Sequence, residues 1–134
     1  MVYIPDKLRE LVISRANGLC EYCQTNSDIV VYMEIDHIRP ISKDGKTESG
    51  NLCLACVSCN RAKNDLLIKQ SEIFNPRIDV WHKHFKWDET GTQLLGLSDK
   101  AQMTISRLKI NAVPIVKARA FWVQAGWHPP SIHL

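Results

Sequence analysis

Apolar side chains first recur at helical spacing near the N-terminus. Leu8, Leu11 and Val12 form a stripe, Pro5-Asp6 can start a helix, and Asn17-Gly18 can end it, so the pattern predicts a helix over 6–17. Ile29-Val30-Val31-Tyr32-Met33-Glu34-Ile35 is dense in β-branched and aromatic residues and predicts a strand running into Asp36-His37. Residues 39–50 are rich in Pro, Ser, Asp and Gly and read as a loop. Leu52–Ala55 predicts a short second strand, and a helix is expected from about Ser58 to Lys69.

Asn75-Pro76 reads as a boundary between a first unit, 1–75, and a C-terminal α+β extension, 76–134, packed on it. In the extension, Val80–Lys86 and Thr92–Leu97 flank Asp88-Glu89-Thr90-Gly91, which predicts a β-hairpin. Period-two alternation in Trp81-His82-Lys83-His84-Phe85-Lys86-Trp87 predicts strand and puts His82 and His84 on one face, where a pair of imidazoles could ligate a metal. The plainer expectation is a core of Trp81, Phe85 and Trp87, with Trp122 and Trp127 packed on the hairpin. Ser98 can cap a helix carrying Ala101, Ile105 and Leu108 on one face. Pro114 suits the first turn of another, with Val116, Ala120 and Val123 along one side. The fold class expected is therefore α+β.

Composition narrows the class. The chain has 134 residues, enough to bury roughly two-thirds of its unfolded surface around a core. No apolar run approaches the ~20 residues of a membrane span, and Met1–Asp6 has no basic stretch followed by an apolar one, so a cytoplasmic location is expected. The net charge is +3, with twice as many Lys and Arg as Asp and Glu over 76–134. That excess permits nucleic-acid binding without arguing for it.

The cysteines change the picture more. Cys20-Glu21-Tyr22-Cys23 and Cys56-Val57-Ser58-Cys59 form two Cys-x-x-Cys pairs. A two-residue gap lets one tight turn aim both sulfurs at one ion, and two such turns close a tetrahedron. Cys20, Cys23, Cys56 and Cys59 are thus expected to hold a structural zinc, and Cys53 to fill a small core space. With four protein ligands this zinc has no open position, so any chemistry lies elsewhere.

Between and after the pairs stand Glu34-Ile35-Asp36-His37-Ile38-Arg39-Pro40-Ile41-Ser42, then Gly45, Thr47 and Asn51-Leu52, then Cys59-Asn60-Arg61 and Lys63. Over about residues 18–66 this resembles the HNH endonuclease motif, in the variant whose third letter is Asn. The resemblance implies a ββα-metal finger, a hairpin carrying the His followed by a helix carrying the last letter. It also implies that Asp36 and Asn60 bind a catalytic magnesium or manganese ion, that His37 activates the attacking water, and that Asn51 braces the loop and orients His37. Products with 5′-phosphate and 3′-hydroxyl ends would follow.

The residue types suit those roles. Imidazole titrates near neutrality, as a general base should. Asp36 and Asn60 offer hard oxygens, and a site with few protein ligands leaves room for phosphate and water. Neighbouring strand residues face opposite sides, so Asp36 and His37 can share a site only at a strand end or bend. Taken singly, each has a plainer reading: a surface His, an Asp or Asn in a turn, an Asn at a helix start. Lys63, Arg61 and Arg39 sit where phosphate contacts would help. Glu34 shares the Asp36 face and reads as solvent-facing or as a support for the site.

The expected protein is therefore a zinc-stabilised, metal-dependent HNH endonuclease acting on DNA, alone or as a homodimer or part of a larger complex. The rival reading is a zinc-finger nucleic-acid-binding module that cuts nothing.

Overall fold

The structure is a computed structural model, described over residues 2–30, 32–64 and 72–130. Helix α1 (Asp6–Arg15) follows Pro5, carries Asp6 in its first turn and Arg15 in its last, and ends where Asn17 and Gly18 adopt positive φ. Val12 is fully buried and Leu8 packs beside it, whereas Leu11, expected on the same stripe, is exposed. Strands β1 (Met33–His37) and β2 (Leu52–Cys56) pair antiparallel, with Asp36 opposite Cys53 and Met33 opposite Cys56. All five residues of β2 are buried.

Strand β1 starts later than the β-rich run suggests. Asn26 turns the chain first, its Oδ1 accepting from the Asp28 N–H at 2.9 Å and its carbonyl from the Ile29 N–H at 2.9 Å. This local turn outcompetes the propensity of Ile29 and Val30, while Val31 lies outside the described residues. Helix α2 (Val57–Asn64) follows β2 directly, and the remainder of the helix expected to Lys69 also lies outside the described residues. The order β1, β2, α2 is the ββα arrangement.

The expected strand over Val80–Lys86 is corrected to one helical turn, α3 (Trp81–His84), followed by β3 (Phe85–Trp87). The turn brings Trp81 and Phe85 to one side, their ring centroids 5.2 Å apart. There the Trp81 Nε1–H donates to the Tyr22 carbonyl at 2.9 Å. Tertiary contact thus overrides period-two alternation. His82 and His84 accordingly share no strand face; His84 Nδ1 instead meets Ser98 Oγ at 2.7 Å.

Strand β4 (Leu94–Gly96) completes the hairpin. Helix α4 (Asp99–Arg107) is capped by Ser98, which accepts from the Ala101 N–H at 3.1 Å. Ala101 and Leu108 are buried as expected. Helix α5 (Val113–Gln124) has Pro114 in its first turn. Its buried residue is Arg119, while Ala120 of the expected apolar side is exposed. Trp127 is 60 % exposed rather than packed on the hairpin; His128 takes that place, 4.4 Å from the Trp87 ring.

The main core runs across residue 75, joining Tyr22, Cys53 and Phe74 to Phe85, Leu94 and Leu108. A smaller cluster seats α1 on Leu52 and Leu54. No helix among the described residues is long and apolar enough to cross a membrane.

Candidate functional site

The four paired cysteines meet. Cys20 and Cys23 lie in a turn, Cys56 ends β2, and Cys59 sits in the first turn of α2. Their sulfurs all lie within 4.8 Å of one another, and Cys23 Sγ is 3.7 Å from Cys56 Sγ. A tetrahedral zinc with bonds of about 2.3 Å sets its sulfurs about 3.8 Å apart, so the donor set and its spacing fit zinc. The knuckles support the sulfurs: the Cys59 N–H donates to Cys56 Sγ at 3.4 Å, and Thr25 Oγ1 lies 3.1 Å from Cys23 Sγ. Hydrogen bonds from Cys20, Cys56 and Cys59 hold the Cys23 thiol well below its ordinary pKa. Cys53 stands apart, a buried neighbour of Tyr22 and Asp36.

The second group gathers where β1 meets α2. Alternate residues of a strand share a face, and so do helix residues three apart. Glu34 and Asp36 face Asn60 and Lys63 in that register. Asn60 Nδ2 donates to Glu34 Oε1 at 3.3 Å, and Lys63 Nζ approaches the two Asp36 oxygens at 3.1 and 3.0 Å. Glu34 is therefore half-buried and engaged rather than solvent-facing. Lys63, expected to reach phosphate, is 7 % exposed and donates also to the His37 carbonyl at 2.9 Å.

Asp36 is 3 % exposed, and its Oδ2 accepts from the Tyr22 hydroxyl at 2.8 Å. Burial raises the Tyr22 pKa well above its ordinary value, so the phenol stays a donor. A carboxylate has about four lone-pair sites; these bonds leave Asp36 room for little more than one further partner. Asn60 Oδ1 is buried with no partner among the described residues, an acceptor that a cation would satisfy. The hard oxygens of Asp36 and Asn60 thus suit a magnesium-like ion.

His37 ends β1, so its ring leaves the sheet at the strand end. Its Nε2 lies 2.9 Å from Thr47 Oγ1. Burial lowers its pKa; Asp36 opposes this and Lys63 adds to it, and the net effect favours the neutral imidazole. Asn51 sits across the loop: its Oδ1 accepts from the Arg39 N–H at 2.8 Å, and its Nδ2 donates to the carbonyls of Arg39 and Lys46 at 3.0 and 2.9 Å. The side chain on the His37 ring is therefore Thr47 and not Asn51, which acts on the loop that carries Thr47. Gly45 closes the same loop, where an added Cβ would fall 1.7 Å from the Arg39 carbonyl oxygen. Arg39 and Arg61 are exposed, with Arg39 Nε donating to the Lys43 carbonyl at 2.7 Å.

Three participants escape a reading of the sequence. Tyr22 was legible only as the filler of a Cys-x-x-Cys turn, although that position places it beside the clasp. Thr47 is among the residues that carry the resemblance, but its contact with the His37 ring is not legible there. Arg119, which lines a cavity with Cys23, Cys56 and Cys59, lies on a helix whose expected apolar side is Val116, Ala120 and Val123.

No curated protein and no solved structure matches this chain. Over residues 20–66, the stretch that holds the four clasp cysteines together with Asp36, His37, Asn51 and Asn60, the chain matches the family model of the HNH endonucleases, which supports a nuclease-type function.

Proposed function

We propose that the protein is a metal-dependent endonuclease hydrolysing phosphodiester bonds in DNA. The observation that carries this reading is the buried, unpartnered Oδ1 of Asn60, set on the same strand–helix face as the Asp36 carboxylate inside the HNH match. Asp36 and Asn60 would hold the divalent ion, which when bound supplies Lewis-acid stabilisation of charge on the phosphate.

His37 is the general base. In the tautomer whose Nε2–H donates to Thr47 Oγ1, the lone pair lies on Nδ1, which has no hydrogen-bond partner among the described residues and would take a proton from water. The lowered pKa keeps this nitrogen unprotonated at neutral pH. Thr47 fixes the ring, and Asn51 fixes the loop that presents Thr47. Arg39 and Arg61, both exposed, would meet the DNA backbone.

Plasmid nicking with magnesium or manganese, against a chelator control, tests this. The His37→Ala variant should lose about 10²-fold or more of the rate while retaining its fold and zinc. Wild-type-like cleavage by His37→Ala, Asp36→Ala and Asn60→Ala alike would overturn the assignment. DNA retention without any cleavage by the wild-type chain would instead favour a binding module.

A further inference from the structure

Arg119 is fully buried, yet no acidic side chain pairs with it among the described residues. Its N–H groups donate to neutral acceptors: Nη1 to the Thr92 carbonyl at 3.0 Å and Asn111 Oδ1 at 3.2 Å, Nη2 to the Ile110 carbonyl at 2.7 Å. Its Nε is buried without a partner among the described residues. The guanidinium carbon lies 5.0 Å from the centroid of Trp87. Cation–π contact and carbonyls ease desolvation but do not neutralise a buried charge, which is costly unless an anion stands near.

The anion is the clasp. Arg119 lines the same cavity as Cys23, Cys56 and Cys59. Four thiolates around one zinc carry a net charge of about −2, itself costly to bury. Each group supplies what the other lacks. We propose that the Arg119 guanidinium is the counter-charge of the zinc–tetrathiolate clasp, so that the metal centre is completed by the C-terminal helix. This inference rests on the cysteine cluster holding zinc.

The test uses the full chain. Metal analysis of the wild type comes first; absence of zinc would overturn both the clasp and this inference. Arg119→Met, which keeps bulk and removes charge, should bind zinc about 10–100-fold more weakly in chelator competition, the usual range for lost outer-shell partners. After cobalt substitution its thiolate-to-metal charge-transfer band should move to lower energy, because the sulfur lone pairs lose a nearby cation. A merely structural arginine would loosen the fold and leave that band where it was; an unmoved band, or unchanged zinc affinity, overturns the proposal. Should Arg119→Met fail to fold, Arg119→Lys carries the test. It keeps the charge but not the guanidinium's bonding, and it should hold zinc within about threefold of wild type; a tenfold or greater loss overturns the proposal.

Discussion

At the scale of single residues, the site is governed by two charges kept from water. The side chains of Asp36 and Lys63 are 2 % and 5 % exposed, which makes their pair very different from a surface salt bridge. Removing one partner of a buried pair strands the other and typically costs about 3–5 kcal/mol. Lys63→Met should therefore lower the thermal midpoint sharply in chelator. Manganese should restore more of the loss than it adds to the wild type, because a divalent cation can take up the Asp36 charge that Lys63 leaves. Equal midpoints for the two proteins in chelator would contradict this account. Lys63 also marks the limit of reading sequence alone. A lysine three residues past Asn60 on a short helix looks solvated, and only the docking of α2 on β1 turns it inward. By contrast, Cys20, Cys23, Cys56 and Cys59 were legible because their spacing encodes geometry by itself.

At the scale of elements, the loop from Ile38 to Asn51 is held by its own backbone. The Gly45 N–H donates to the Pro40 carbonyl at 2.9 Å, and Asn51 grips Arg39 and Lys46 from the far side. Gly45 is required because the loop passes so close to the Arg39 carbonyl that no side chain fits. Gly45→Ala should cost about 1–3 kcal/mol in denaturant unfolding, as overpacking does. Cleavage should fall at least tenfold under conditions where the variant is fully folded, because the displaced loop also carries Thr47. Retention of full activity would show that the loop does not set the His37 ring. Turns of this kind were readable as loops from Pro, Ser and Gly, but their internal bonds were not. The same limit explains α3: the residues Trp81 to Trp87 alternate as a strand would, and the deciding contact, Trp81 to the Tyr22 carbonyl, lies 59 residues away in the chain.

At the scale of the whole molecule, the cores of the nuclease-like segment and of the C-terminal elements are one. Tyr22 and Cys53 pack in the cluster that contains Phe85, Leu94 and Leu108, and Arg119 lines a cavity with Cys23, Cys56 and Cys59. A fragment ending at residue 75 would expose that apolar surface and lose the arginine. It should purify with substoichiometric zinc and without a cooperative unfolding transition; a zinc-loaded, cooperatively melting fragment would show that the two parts are separable.

The long reach from Cys23 to Arg119 also sets an order of events while the chain is being made. Protein segments generally fold as they emerge, N-terminal first. Here the ninety-odd residues after Cys23 leave the ribosome before Arg119, which lines the same cavity, can arrive. A nascent chain would present all four clasp cysteines well before α5, and Arg119 with it, has emerged.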